Sequence, residues 1–277
     1  MRASTSGMVN CQIWWATTAM ARWWHPGLLS HAERERRGRL RHTADRDRFT
    51  VGVALTRLVL AGRLGVDPRA LRLERRCAGC GGAHGKPRLS GPYDIGFSVS
   101  HTDEVVVLAL AGDSMVGVDV ERLGRVRDLR ALGQALLSPD ERGGPLTETA
   151  LLRRWVRKEA VVKATGDGLK VPLADLAVSA PGTPARLLGW RTRPELCSRM
   201  TLRDLHPAAG YLASLAIATT ARGPITVWER DAGPVLATEP GTSTEREFDH
   251  DDDRTGRAGE RPGGGSARPP RAAGRAA

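Results

Sequence analysis

Two acidic residues, Asp119 and Glu121, occupy alternate positions of a short apolar run and are the first candidates for chemistry. In a β-strand alternate side chains project from one face, so both carboxylates would share a side while Val118 and Val120 point into a core. Mg²⁺ accepts such carboxylate oxygens together with phosphate oxygens and water. A strand that leaves a sheet with two solvated acids gives the same pattern, and this commoner arrangement stays open for the motif alone.

A second group lies later in the chain, where Trp155, Glu159 and Lys163 are spaced four residues apart. On a helix this spacing puts the three side chains along one stripe. Glu159 offers a third carboxylate, and Lys163 offers an ammonium group for a phosphate oxygen one turn further on. A helical Glu–Lys pair on the surface is equally consistent with the pattern, although a tryptophan on the same stripe indicates a partly buried face.

Basic and polar residues around these motifs suggest contacts with an anion. Ser100 and His101 close an apolar run, and Lys86 lies in a Gly-Lys-Pro turn. The segment 34–48 is rich in arginine, whose guanidinium fork suits phosphate oxygens. Each feature also has a plain structural explanation, as a capping residue, a turn residue or a solvated helix face. The arginines of the segment are Arg34, Arg36, Arg37, Arg39, Arg41, Arg46 and Arg48.

The cysteines give one further candidate site. Cys77-x-x-Cys80 with His84 nearby resembles half of a zinc knuckle. A structural zinc site needs four ligands, and the other two cysteines, Cys11 and Cys197, are far away in sequence. Zinc binding therefore stays open as an alternative. A disulfide scaffold is not expected in a chain of this size.

The apolar pattern predicts the elements that must position these residues. Helical spacing over 46–64 ends at Gly65, and a second amphipathic helix over 147–165 ends at Gly166. The sequence Ser138-Pro-Asp-Glu141 has the form of a capping box at a helix start. Strands are predicted at 11–16, 95–100, 105–111 and 115–120, and short apolar runs at 176–178, 186–190, 200–202, 211–217 and 225–228 are expected to complete a second sheet.

This order of elements indicates an α+β fold made of two similar halves, 9–113 and 114–230. The two ends of the chain differ from this body. Residues 1–8 and 231–277 are expected to be disordered, because the second range is built from Gly-Gly-Gly, Pro-Pro and Asp-Asp-Asp sequences with few large apolar residues.

Composition excludes several classes of protein. With 277 residues, 40% hydrophobic and 26% charged, the chain is ordinary for a soluble globular protein. No apolar run is long enough to span a membrane and no secretory signal is evident, so a cytoplasmic location is expected. The net charge is +11, and residues 231–277 hold seven arginines against nine acids, so the preceding body carries +13. Such a body favours an anionic partner.

The two motifs, taken together and in order, resemble a known family. Gly117-Val-Asp-Val-Glu121, followed by Trp155-Val-Arg-Lys-Glu-Ala-Val-Val-Lys163, is similar to the signature of the Sfp-type 4′-phosphopantetheinyl transferases. The similarity continues in register from about residue 30 to 178. It includes Gly85-Lys86-Pro87, Phe97-Ser-Val-Ser-His101 and Gly166-Asp-Gly-Leu169.

The resemblance implies a pseudo-twofold monomer whose two α+β halves hold coenzyme A between them. It implies Mg²⁺, with Mn²⁺ as an alternative, bound by Asp119, Glu121 and Glu159, and it places Lys163 at the pyrophosphate. It also implies that the nucleotide and its phosphates are contacted by Arg34, Arg36, Arg48, Lys86, Ser100 and His101.

The implied reaction moves 4′-phosphopantetheine from coenzyme A to a serine of an apo acyl or peptidyl carrier protein and releases adenosine 3′,5′-bisphosphate. Phosphoryl transfer needs mainly positioning and charge neutralisation, which a metal ion and Lys163 would supply. Glu159 or a metal-bound water would take the serine proton. Carrier proteins of this kind are acidic, so a body of charge +13 would attract them.

Two alternatives stay open beside this interpretation. The arginines of 34–48 suggest a nucleic-acid-binding protein, but the chain has three Phe and two Tyr and no helix-turn-helix or RNA-recognition signature. A catalytically degenerate relative would still bind carriers, but the intact Asp119, Glu121, Glu159 and Lys163 count against it. Neither nucleic acid nor a membrane is therefore expected as a partner, and the sequence does not choose the carrier or its pathway.

Overall fold

The computed structural model describes residues 8–77, 80–82, 85–144, 146–219 and 223–241. Two β-sheets form its frame, and a long helix packs against each of them. This mixture of helices and sheets confirms the predicted α+β class. The pseudo-twofold relation between two halves stays a prediction.

The first sheet contains β1 (Val9–Thr17), β4 (Gly96–Thr102), β5 (Val105–Ala111) and β11 (Ile225–Asp231). Their order is β11-β1-β5-β4, with β1 antiparallel to β5 and parallel to β11. The prediction that 225–228 belongs to the second sheet is wrong, because Ile225 pairs with Val9 and the register continues to Asp231 opposite Trp15. β1 is largely buried, so its second edge needs a partner for the backbone hydrogen bonds.

The second sheet contains β6 (Met115–Arg122), β9 (Met200–Leu205) and β10 (Tyr211–Ala218). It is antiparallel, in the order β6-β10-β9. The apolar runs near 176–178 and 186–190 do not join it as predicted. They pair with each other as β7 (Leu176–Val178) and β8 (Leu187–Trp190), because strands close in sequence most often pair locally. β2 (Leu73–Glu74) and β3 (Arg88–Leu89) form another short pair.

The helices are α1 (His31–Gly38), α2 (Thr43–Leu64), α3 (Leu129–Leu136), α4 (Glu148–Thr165) and α5 (Gly233–Ala237). The two long helices confirm the predicted ones. α2 ends where Gly65 adopts a left-handed φ of 66°, and α4 ends in the same way at Gly166 with a φ of 81°. The arginine-rich segment 34–48 is therefore split between α1 and α2 by the residues 39–42.

A glycine sets how closely α4 lies against the second sheet. A Cβ atom on Gly117 of β6 would lie 2.0 Å from the Ala160 carbonyl oxygen and 2.3 Å from the Ala164 nitrogen. Only a residue without a side chain allows this approach. Below the helix, Val116, Val118 and Val120 of β6 point into the core shared by the two sheets, as the alternating pattern predicts.

The Ser138–Glu141 capping box does not begin an α-helix. The Glu141 carboxylate accepts the Ser138 N–H at 2.9 Å, but the turn stops after a single 3₁₀ turn at 139–141. Glu141 is instead occupied by the buried Lys158 of α4, whose ammonium group donates to its carboxylate and, at 2.7 Å, to the Leu136 carbonyl. A buried charge needs such pairing, so the carboxylate both caps the 3₁₀ turn and pairs with a lysine in the core.

The beginning of the C-terminal range is folded, which corrects the prediction of disorder from residue 231. β11 extends to Asp231, and Ala232 and Leu236 are fully buried in the core beneath α2. The apolar run Val235-Leu236-Ala237 is too short for its periodicity to predict a buried helix. Residues 1–7 and 242–277, to which the rest of that prediction applies, lie outside the described part of the chain.

His25 attaches this C-terminal helix to the N-terminal part of the fold. Its ring is fully buried, Nδ1 accepts the Arg22 N–H at 3.2 Å, and Nε2 lies 3.0 Å from the Leu236 carbonyl oxygen. One acceptor and one donor are what a neutral imidazole provides. Burial lowers the pKa of His25, and the nearby Arg22 charge acts in the same direction.

We expect acid to lower the free energy of unfolding because of His25. Because the folded pKa of His25 is lowered, the unfolded state takes up a proton first, so stability falls as pH drops below about 6.5, the pKa of a free histidine. His25→Gln should remove up to about 1.4 kcal/mol per pH unit of that dependence between pH 7.5 and 5. Urea unfolding of both proteins measures it, and an unchanged pH slope in His25→Gln would contradict the assignment.

Among the helices that the structure describes, none is long and apolar enough to cross a lipid bilayer.

Candidate active site

A cleft of about 240 Å³ lies where β4, β6 and α4 meet. Each element contributes polar side chains that the sequence singles out. β4 supplies Ser100 and His101, β6 supplies Asp119 and Glu121, and α4 supplies Trp155, Glu159 and Lys163. The two motifs that are separate in sequence thus line one cavity.

Alternate side chains of β4 connect the two sheets along this cleft. Ser98 Oγ accepts the Val118 N–H at 3.2 Å, Ser100 Oγ donates to Asp119 Oδ1 at 2.8 Å, and Thr102 Oγ1 donates to Glu121 Oε2 at 3.3 Å. Residues two apart on a strand share a face, so one face of β4 makes all three of these contacts with β6. The hydroxyl series orients both carboxylates.

Lys163 makes the central ion pair of the cleft. Its ammonium group lies 2.6 Å from Asp119 Oδ1 and 2.8 Å from Ser100 Oγ. Asp119 is 3% exposed, and its second oxygen, Oδ2, is buried without a hydrogen-bond partner among the described residues. A buried oxygen of this kind is rare in folded proteins and often marks the place of an absent ion or water.

The surroundings of the other two carboxylates, Glu121 and Glu159, disfavour their charged forms. Burial, and after it the charge of Asp119, raise the pKa of Glu121 to about 7. Burial and Asp119 also raise the pKa of Glu159. Lys163 lowers both values without cancelling the shift. A cation at this end of the cleft would relieve the repulsion.

The three carboxylates do not yet form a closed metal site. In the part of the chain that the structure describes, no three His, Cys, Asp or Glu side chains stand close enough together to hold a metal ion. The donor set nevertheless fits Mg²⁺, because all the available ligands are hard oxygens and Asp119 Oδ2 has no other partner.

A smaller pocket of about 120 Å³ lies beside the cleft, and Val99 and His101 line both cavities. We call it the Arg36 pocket. Arg36 and Arg75 bring positive charge to it, and Phe49, Pro87 and Phe97 give it apolar walls. Burial lowers the pKa of Arg75 and the neighbouring charge of Arg36 lowers it further, while Glu33, which also lines the pocket, acts in the opposite direction.

Sequence reasoning missed Arg75. It lies in a run of polar residues beside β2, and neither periodicity nor a motif distinguishes it from Arg76. Only the short β2–β3 pair brings it across to α1 and α2. His101, by contrast, is one of the residues singled out in the sequence, and it lines both the cleft and the pocket. The pKa of His101 is lowered by partial dehydration in the cleft and by the positive charge of Arg48.

The two remaining arginines of the predicted set are placed differently from Arg36. Arg34 donates to the Leu29 carbonyl, and it does not line either cavity. Arg48 donates to the Asp103 carbonyl at 2.7 Å and pairs with Asp45, yet it remains close enough to His101 to affect its pKa. Arg36 is therefore the member of the set that faces a pocket, with its guanidinium 5.6 Å from the centre of the Phe49 ring.

Lys86 does not line the cleft either. Its ammonium group donates to the Val116 carbonyl at 2.7 Å and to the Ala164 carbonyl at 3.1 Å, which joins the start of β6 to the end of α4. Burial lowers its pKa to about 8, and the charge of Arg88 contributes. A cation at a helix C-terminus is favourable, since the last carbonyls have no partner within the helix.

We expect Lys86→Met to lower the free energy of unfolding by about 1–3 kcal/mol, because two carbonyls lose their charged donor. The loss is measured by urea unfolding beside Lys170→Met, which removes an exposed lysine. Unchanged stability together with a raised KM for coenzyme A would contradict this structural role and favour the nucleotide contact that the resemblance implies.

The cysteine motif is only partly described. Cys77 is half-buried and Cys80 exposed, and the Cys77 N–H donates to the Gly82 carbonyl at 2.8 Å. His84, the third residue of the zinc alternative, lies outside the described residues.

Comparison with known proteins agrees with the geometry. The model of the 4′-phosphopantetheinyl transferase superfamily matches residues 115–218, which include β6 and α4. The 4′-phosphopantetheinyl transferase HetI of Nostoc sp. is 30% identical over 200 residues, or 69% of this chain and 78% of HetI.

Two further relatives match over shorter ranges. A phosphopantetheinyl transferase of Thraustochytrium sp. is 31% identical over 51% of this chain and 54% of its own length. The 4′-phosphopantetheinyl transferase AcpT of Salmonella typhi is 33% identical over 31% of this chain and 47% of its own length. The sequence motifs, the cleft that unites them and these similarities together show that the chain belongs to the 4′-phosphopantetheinyl transferase superfamily.

Proposed function

We propose that this protein transfers the 4′-phosphopantetheine group of coenzyme A to a serine hydroxyl of an apo carrier protein, with Mg²⁺ as its metal. The single observation that carries the proposal is the pair of Asp119 and Lys163 in a cleft that shares Val99 and His101 with the Arg36 pocket. An anionic donor with a charged nucleotide end suits that arrangement, since the cleft supplies Lys163 and the pocket supplies Arg36 and Arg75.

The nucleotide end of coenzyme A is proposed to occupy the Arg36 pocket. Arg36 and Arg75 have guanidinium forks for a phosphate group, and an anion between them would relieve their mutual repulsion. Phe49 and Pro87 offer apolar surface to the base. The pyrophosphate would then reach past His101 to Ser100 and Lys163, which line the adjoining cleft.

The metal is proposed to bind to Asp119, Glu121 and Glu159. Support comes from the unpartnered Asp119 Oδ2 and from the raised pKa values of the two glutamates, which a divalent cation would lower. When bound, the ion supplies neutralising charge at the pyrophosphate. Lys163 adds a second positive charge on the same side, and its ammonium donors can shift from Asp119 to a phosphate oxygen.

The transfer itself makes one bond and breaks one. The serine oxygen bonds to the phosphorus that carries the pantetheine arm, the phosphoanhydride bond to the nucleotide breaks, and adenosine 3′,5′-bisphosphate leaves. The serine proton must go to a base. Glu159 is the proposed acceptor, because its carboxylate faces the cleft from α4.

The acceptor is proposed to be an acidic carrier protein, drawn to a basic monomeric body. The nucleic-acid alternative gains no support from the arginines of 34–48. Three of them, Arg34, Arg46 and Arg48, donate to backbone carbonyls, and Arg37 donates to Thr50. These four arginines therefore make contacts within the fold.

Mass spectrometry of an apo carrier incubated with the protein, coenzyme A and Mg²⁺ tests the proposal. We expect the carrier to gain one phosphopantetheine, and to gain none when EDTA is added or when its acceptor serine is replaced by alanine. Absence of the gain with carriers from fatty-acid, polyketide and peptide assembly would overturn the proposed function. A gain that persists in EDTA would overturn the metal requirement alone.

A further inference from the structure

The segment 122–126, which leaves β6 directly after Glu121, is held from two sides by carboxylates. We call it the exit segment. Asp103 of the β4–β5 turn binds its arginine side chains, and Glu148 at the start of α4 binds its backbone. Neither carboxylate lines the cleft or the Arg36 pocket. Neither carboxylate takes a direct part in the proposed chemistry.

Asp103 forms the first half of this arrangement. Its carboxylate accepts from Arg122 at 2.7 Å and from Arg125 through both oxygens, at 2.7 and 2.8 Å. These hydrogen bonds, that of Arg125 first, hold the pKa of Asp103 below its usual range. Its carbonyl oxygen also accepts from Arg48. Asp103 has a φ of 46°, a left-handed conformation that aspartate readily adopts in the two-residue turn between paired strands.

Glu148 forms the second half. Its carboxylate accepts the backbone N–H groups of Gly124, Arg125 and Val126 at 2.9–3.0 Å. These bonds, that of Val126 first, keep the pKa of Glu148 low. Because Glu148 begins α4, they fix the end of β6 to the helix that carries Glu159 and Lys163.

All three elements that supply the cleft therefore meet at the exit segment. The β4–β5 turn follows Thr102, whose hydroxyl donates to Glu121, and Arg122 is the next residue after Glu121. We propose that Asp103 and Glu148 are positioning residues, which fix the exit segment and thereby hold the Glu121 carboxylate where it serves the metal. The inference rests on the proposed function, since it gives Glu121 that task.

Exposed ion pairs contribute little to stability, and this separates positioning from simple support. Arg122 and Arg125 keep 46% and 64% of their side chains exposed, so removing the Asp103 charge should change the unfolding midpoint only slightly. A displacement of a catalytic group by about 1 Å, however, can cost about 100-fold in rate. A large loss of rate with little loss of stability is therefore the signature of the proposed role.

The test uses Asp103→Asn and Glu148→Gln in the full chain. Asparagine tolerates a positive φ, so the first variant removes the charge without adding strain. Asp113→Asn in the exposed β5–β6 turn is the matched control. We expect kcat to fall between about 10-fold and 100-fold and the Mg²⁺ midpoint to rise about 10-fold in both variants, with KM for coenzyme A nearly unchanged. The control should match the wild type.

Two measurements without turnover accompany these assays. Calorimetry with coenzyme A but no carrier should show Mg²⁺ binding weakened by about 10-fold. Hydrogen exchange should be faster at the amides of 124–126 in Glu148→Gln, while the amides of β10 keep the wild-type rate.

The outcomes are distinct for the two hypotheses. A rate that falls only with the folded fraction, at an unchanged Mg²⁺ midpoint, shows structural support and overturns the positioning role, as do wild-type kinetics in both variants. If the wild-type protein transfers nothing, the proposed function fails instead. Unaltered Mg²⁺ binding and exchange in the two variants would then also overturn the inference.

Discussion

Asp119→Asn is expected to lower the transfer rate by about 10²- to 10³-fold, which is the cost of losing one group that stabilises transition-state charge. The asparagine still accepts from Ser100 and Lys163, so the hydrogen bonds of Oδ1 survive. What is lost is the negative charge and the unpartnered Oδ2 proposed for the metal. Transfer to an apo carrier at saturating Mg²⁺, followed by mass spectrometry, measures the effect.

Two companion variants sharpen that result. Glu121→Ala should reduce the rate to a similar extent, because it removes the second carboxylate on the same face of β6. Asp113→Asn, at the opposite end of the strand, should retain the wild-type rate. Near-normal transfer by both Asp119→Asn and Glu121→Ala, with all proteins folded by circular dichroism, would remove the metal assignment.

Lys163→Met is the second change with a large expected effect. Lys163 is the ammonium group nearest to Asp119, and its loss should lower kcat about 100-fold because the leaving phosphate loses a charged donor. Lys163→Arg should retain part of the activity. Lys170→Met is the matched control, since Lys170 is an exposed lysine beyond the end of α4 and should not affect the rate.

Stability must be measured in the same series. Lys163→Met leaves the buried Asp119 without its cation, and this should destabilise the fold by about 1–3 kcal/mol. The double variant Asp119→Asn/Lys163→Met should recover much of that loss without recovering activity. If Lys163→Met kept full activity, or if the double variant were active, Lys163 would have no role in transfer.

The candidate site was more predictable from the sequence than its surroundings. Strand alternation placed Asp119 and Glu121 on one face, and helical spacing placed Glu159 and Lys163 on one stripe, because both periodicities follow from local backbone geometry. The glycines after the two long helices marked their ends for the same reason. Local rules thus gave each half of the cleft separately.

The contacts that join those halves depend on residues far apart in the chain. Arg75 reaches the Arg36 pocket, and Lys86 lies between β6 and α4 rather than in the cleft. The strand at 225–231 belongs to the first sheet, where it pairs with the second edge of β1. The local sequence does not show which partners these residues reach, because pairing and burial are decided by the whole chain.

The sequence by itself determined the helix ends, the faces of the motif residues and the resemblance that named a family. The tertiary structure alone decided which charged side chains make contacts within the fold and which remain available to a ligand. Lys158 pairs with Glu141 in the core, whereas Lys163 of the same motif faces the cleft beside Asp119. The physical reason is burial, since a charge removed from water needs a partner, and only the folded chain shows which partners come within reach.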